Sequence, residues 1–285
     1  MNAKLSIILS MVIFGTVSLF VRGIPLTSAE VALFRAVIAL VCLVALRLAR
    51  RQPLSFRSAG RDAPLLFLSG AAMGFNWIFL FEAYRYTTVS VATLSYYFAP
   101  VIVMVACPVL FRERVTRWQA LCFVGSTAGL ALVVNPGGLA GGDALKGVLF
   151  ALAAAALYAA VILLNKGIRG VSGLDRTMLQ FAAAAAVLLP YILLTTGIHF
   201  EAMTPAGWAC LLAVGLIHSA LAYVLYFSSI KALPGQETAI LSYIDPLVAV
   251  LISLTVLGEA VAPAQLVGGA MILAFTLANE LRKQP

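Results

Sequence analysis

The residues Ile-Leu-Ser-Tyr-Ile-Asp-Pro-Leu at 240–247 set a carboxylate and a proline inside an otherwise apolar run. A charge at the centre of such a run costs about 2.5–3.5 kcal/mol on insertion scales, so it faces a wet interior. Proline removes a backbone donor and clashes with the preceding turn, so the helix should kink or break at Pro246. Aspartate followed by proline is also the pairing that starts a helix. Asp245 therefore carries two compatible readings. It caps the second half of a broken helix, or it faces a cavity and binds a proton or an ammonium group. Pro100 stands at the matching place in the first half of the chain, with Ala99 where Asp245 would be.

Other polar and aromatic residues fall at a similar depth. Counting along each apolar run at about 1.5 Å per residue brings Phe14, Asn76, Trp77, Tyr96, Tyr97, Tyr158, His218, Tyr243 and Asp245 to one level. Leu80 shares a helix face with Asn76 and Tyr84. An intramembrane asparagine either ties two helices or touches a ligand. His218 shares a face with Ala222 and Tyr226; it packs through hydrogen bonds or titrates near neutral pH. Tyr96, Tyr97, Tyr158 and Tyr243 come from three different runs and suit a flat apolar ligand. Tyr84 and Tyr86 read as interfacial. Arg35 reads as a snorkelling side chain beside Glu30. Glu113 and Glu259 fall at run ends, as caps or loop pairs, and His199 reads as solvated. No paired histidines, Ser–His pair or carboxylate dyad gathers, so a membrane enzyme lacks its signal. No phosphate-cradling glycine loop is present, and no cofactor or metal is expected. Cys42, Cys107, Cys122 and Cys210 read as apolar thiols without a disulfide frame.

Composition identifies the solvent. The chain is 62% hydrophobic and 11% charged, with a mean hydropathy of +1.03. A soluble domain carries roughly a quarter charged residues. Most of this surface must meet lipid or other apolar helices. The net charge of +8 does not indicate nucleic acid, because the basic residues cluster between apolar runs. Ten runs are long enough to span: 5–21, 30–49, 64–83, 87–110, 117–134, 147–165, 176–196, 206–230, 237–257 and 262–280. The first reads as a retained span, not a cleaved leader. With the N-terminus inside, fifteen Lys and Arg lie on the cytoplasmic side and three outside. Both termini are therefore expected in the cytoplasm.

The halves resemble each other. A shift of 146 residues matches Phe81 with Phe227, Arg85 with Lys231, Tyr97 with Tyr243, Pro100 with Pro246, Glu113 with Glu259 and Gln119 with Gln265. Leu-Ser-Tyr at 94–96 meets the same triplet at 241–243 one residue later, and Arg22-Gly23 meets Lys166-Gly167. Five spans per half is an odd number, so the second copy enters the membrane from the opposite side. The expected fold is all-α and integral to the membrane: ten transmembrane helices as two inverted five-helix repeats, 1–136 and 143–285, around a central cavity. Two such packings, one open to each side, lie close in energy, which is the basis of alternating access. The Gly125–Gly129 spacing and Gly268-Gly269 suit close helix packing.

The doubled five-span pattern, Phe34-Arg35, and the Pro…Glu…Gln spacing of spans 4–5 and 9–10 resemble the drug/metabolite transporter superfamily, in its EamA-type group. The text as a whole resembles the bacterial YddG-type aromatic amino acid exporters. One departure is Phe14-Gly15, where the first span of the group often has Trp-Gly. The resemblance implies a secondary transporter of a bacterial inner membrane that exports aromatic or other bulky neutral amino acids. The bilayer and a small amino-acid substrate would be its partners, and a monomer would suffice. Threonine, a branched-chain amino acid or a purine is the alternative cargo. Proton coupling through Asp245 or His218 stays open at this point.

Overall fold

The computed structural model describes residues 2–49, 51, 60–111, 116–134, 142–171, 173–229, 233 and 241–282. Among them the secondary structure is helical, without a strand. The helices are α1 (Ala3–Gly15), α2 (Val17–Arg22), α3 (Ser28–Ala49), α4 (Ala63–Tyr86), α5 (Val89–Tyr96), α6 (Ala99–Phe111), α7 (Arg117–Val134), α8 (Gly142–Gly167), α9 (Gly173–Thr195), α10 (Pro205–Gly215), α11 (Ala222–Ser229), α12 (Ile244–Thr255) and α13 (Pro263–Leu281). A π-helical segment, Leu216–Leu221, joins α10 to α11. Glu113, Lys231 and the expected start of a span at 237–240 lie outside the described residues.

Among the described residues, seven helical segments are long and apolar enough to cross a membrane: Ala3–Arg22, Ser28–Ala49, Ala63–Tyr86, Val89–Ala106, Asp143–Gly167, Gly173–Thr195 and Pro205–Phe227. Ile244–Thr255 and Pro263–Asn279 are shorter apolar helices. Local chemistry starts several of them. Thr88 Oγ1 accepts the Val91 N–H at 3.2 Å, and Thr204 Oγ1 accepts the Gly207 N–H at 3.0 Å just before Pro205. Such caps satisfy backbone donors that no intrahelical carbonyl can reach.

Packing places α4 against α8 and α9, α3 against α9, α1 against α11 and α12, and α5 against α8 and α12. Helices α7 and α13 pair closely with each other and also pack on α5. The largest buried side chains include Phe81, Phe181, Leu33, Leu43 and Leu188. Outward faces carry Val41, Leu48, Val124, Leu193 and Leu194, each more than half exposed. An apolar exterior of this extent is what contact with lipid requires. The glycine stripes do serve close packing. A Cβ on Gly129 would stand 2.6 Å from the Gly268 carbonyl oxygen, so α7 and α13 meet backbone to backbone.

Candidate functional site

Three helix interruptions meet near the middle of the molecule. Helix α1 ends at Gly15, and Thr16 turns the chain into α2. Tyr97 and Phe98 form a turn between α5 and α6, with Pro100 in the first turn of α6. Tyr243 turns the chain into α12, whose first turn holds Asp245 and Pro246. Proline is tolerated at these early positions because no intrahelical carbonyl awaits its missing N–H. Tyr97 and Tyr243, matched by the 146-residue shift, both occupy turns, and their ring centroids lie 6.4 Å apart.

Asp245 does not act as a side-chain cap; no such bond is made at the start of α12. One of its carboxylate oxygens accepts from the Tyr97 hydroxyl at 2.7 Å. Helix α1 passes very close behind it. A Cβ on Gly15 would lie 2.7 Å from both the Asp245 carbonyl oxygen and Val248 Cβ, so glycine is required at this crossing.

Between the interruptions lies a cavity of about 620 Å³. That is within the usual range for small-molecule sites, roughly 300–1,000 Å³. Its walls include Phe14, Trp77, Leu80, Tyr96, Tyr97, Pro100, Tyr158, Tyr243 and Asp245. Tyr96 stacks on Tyr158 at 5.5 Å, and Phe14 meets Tyr223 edge-on at 5.3 Å.

Asn76 and His218 stand behind the wall and do not line the cavity. The Asn76 amide donates to the Ala154 carbonyl at 2.6 Å and ties α4 to α8. His218 Nδ1 lies 3.1 Å from the Ala213 carbonyl oxygen, which can only accept, so the proton sits on that nitrogen. Its Nε2 meets Thr16 Oγ1 at 3.0 Å. Both ring nitrogens are therefore engaged. Pro246 is buried and sets the turn without facing the cavity.

Four of the wall residues that escaped the depth count are large polar or charged side chains. Tyr84, read as interfacial, is 6% exposed and lines the cavity. Tyr223 and Tyr226 line it because the π-helical segment adds a residue to the turn before them, so i+4 spacing from His218 fails. Arg35 is the fourth. It does not snorkel. It is 5% exposed, donates through Nε to Ser219 Oγ at 2.7 Å, and lies 4.5 Å above the Trp77 ring. Glu30 is occupied elsewhere, accepting from Thr27 N–H at 2.8 Å, Thr27 Oγ1 at 2.7 Å and His199 N–H at 2.7 Å.

Beside the wall residue Tyr84, a polar tie joins α2, the start of α5 and the end of α12. Glu259 pairs with Arg22 at 2.6 Å and accepts the Val89 N–H at 2.8 Å and the Ser253 hydroxyl at 2.5 Å. Arg22 also donates to the Tyr84 carbonyl at 3.0 Å. The sequence reading of Glu259 as a loop-pairing residue holds. The wall also includes Tyr226, Leu233 and Ser242.

The model of the EamA-like transporter family matches the chain twice, over residues 1–135 and 145–279. An uncharacterized transporter of Bacillus subtilis, YxxF, is 29% identical, over 99% of this chain and 91% of the relative. An uncharacterized transporter of Archaeoglobus fulgidus is 31% identical, over 95% and 94%. A probable terminal-alkyne amino-acid exporter of Streptantibioticus cattleyicolor is 28% identical, over 76% and 73%. A crystal structure that is 20% identical superposes with a TM-score of 0.63, covering 96% of this chain and 95% of that one, and so shares the fold. An apolar exterior, an aromatic cavity and a family model met in both halves lead to one conclusion: the chain belongs to the EamA-like transporter family and is a multi-pass membrane transporter, not an enzyme.

Proposed function

We propose that this protein is a secondary transporter that exports aromatic or other bulky neutral amino acids by alternating access. The observation that carries this reading is the cavity wall. Phe14, Trp77 and seven tyrosines surround a space with one carboxylate, Asp245. Aromatic faces favour flat apolar side chains, and the tyrosine hydroxyls add hydrogen bonds without net charge. Ten crossings in two inverted units, 1–136 and 143–285, would put this cavity at their interface. The Tyr97 and Tyr243 turns support that division. The two separate family matches support it as well. The relative named as an amino-acid exporter supports the cargo class, as does the YddG-type resemblance. Lysine and arginine distribution supports cytoplasmic termini in a bacterial inner membrane.

The test is uptake of labelled tryptophan, threonine and a purine into liposomes holding the purified protein, with and without a pH gradient. Saturable tryptophan flux that threonine competes for weakly is expected. Saturable flux of the purine alone would reject the amino-acid reading. A dependence on the gradient would establish proton coupling, and its absence facilitated diffusion.

A further inference from the structure

We propose that Arg35 is the anion receptor of the cavity and that the cargo must carry a carboxylate placed against it. This deepens the amino-acid reading and rests on that reading for the identity of the site, though not for its outcome.

The argument begins with burial. Arg35 is 5% exposed, yet it lines the cavity. Guanidinium carries five N–H donors and stays charged. Its Nε–H goes to Ser219 Oγ at 2.7 Å, and Ser219 passes its own proton to the Val214 carbonyl at 2.9 Å. The guanidinium lies over the Trp77 ring at 4.5 Å, with Phe81 at 5.7 Å. Among the described residues, no carboxylate lies within ion-pair distance of it. A buried charge is costly without a counter-ion. Ser219 and Trp77 orient the plane of the group without neutralising it. Its Nη donors, free of any hydrogen bond among the described residues, are left for a guest. A planar fork of parallel N–H groups matches a carboxylate bidentately.

Charge balance selects carboxylate over phosphate. One guanidinium balances one negative charge. A phosphate monoester brings up to two, into a space that already holds Asp245. Among the described residues, no second cation lines this cavity. Asp245, held by Tyr97, is not paired with Arg35 and stays available for a donor elsewhere on the cargo.

The test uses acid and amide pairs that differ only in the carboxylate: tryptophan and tryptophanamide, threonine and threoninamide, with phosphoserine as the phosphate probe. Binding is read as the ligand concentration that half-saturates thermal stabilisation of the purified full chain. Each acid that binds should do so at least tenfold more tightly than its amide. Arg35→Gln should erase that difference, and Arg35→Lys should keep part of it. Ser219→Ala, which frees the guanidinium plane, should shrink the difference severalfold and serves if Arg35→Gln does not fold. Equal binding of acid and amide by the wild type overturns the proposal. So does a preference that survives Arg35→Gln, tighter binding of phosphoserine than of threonine, or no binding by any acid. Threonine binding alone, with an Arg35-dependent preference over its amide, would sink the aromatic reading and leave the receptor assignment standing.

Discussion

The tie around Glu259 gives the most quantitative prediction. Its carboxylate joins the end of α2, the turn between α4 and α5, and the end of α12. It does so through Arg22 at 2.6 Å, Val89 N–H at 2.8 Å and Ser253 at 2.5 Å. These ends come from both halves of the chain, so opening the cavity on this side should break the tie. Glu259→Gln keeps the shape and removes the charge. A hydrogen bond to a charged group contributes about 1.5–3 kcal/mol. The Arg22 side chain is 31% exposed, so its ion pair is screened and adds little. The net loss should be about 2 kcal/mol, which lowers the closed-to-open ratio about 30-fold. The assay is the rate at which an impermeant thiol reagent, added from the Arg22 side, modifies Thr93→Cys. Thr93 lines the cavity and is 4% exposed. The rate should rise at least tenfold with Glu259→Gln in a background without native cysteines. An unchanged rate, with thermal stability lowered by the same substitution, would refute the reasoning. The tie would then hold the fold in both states and gate nothing.

Other expectations follow from the same geometry. Tyr97→Phe removes the 2.7 Å hydrogen bond to Asp245; cargo affinity should fall about fivefold, for a loss of about 1 kcal/mol, in a binding titration. Asp245→Asn should abolish any response of flux to a pH gradient, and a response that survives would remove Asp245 as the proton carrier. Gly15→Ala puts a methyl 2.7 Å from the Asp245 carbonyl oxygen and should cost about 1–3 kcal/mol in stability together with most of the flux. Gly129→Ala should destabilise by a similar amount through the α7–α13 contact while leaving KM unchanged, because neither helix lines the cavity.

Much of this site was legible in the sequence, for physical reasons that differ by residue. Asp245, Pro246 and Pro100 were conspicuous because lipid tolerates charge and proline only where something compensates them. Phe14, Trp77 and the four deep tyrosines were found by depth alone, since helical rise is nearly constant. Depth does not say which way a side chain points. That is why Asn76, at the right level, proved to bind the Ala154 carbonyl behind the wall. Tyr223 was hidden by the π-helical segment, which no periodicity reveals. Arg35 was misread because snorkelling is the general rule for a cation near a span end. Here Ser219 and Trp77, from segments far along the chain, hold it inside. Partners so remote in sequence leave no local signal.

The most direct test of the central claim is two-sided accessibility of the cavity. A single cysteine at Ser242, on the wall near Asp245, would be placed in the protein reconstituted in one orientation. An impermeant thiol reagent would then be applied to each face, with and without saturating tryptophan. Alternating access through this cavity predicts reaction from both faces, at rates that tryptophan shifts in opposite directions. Reaction from one face only, unaffected by any cargo, would contradict it.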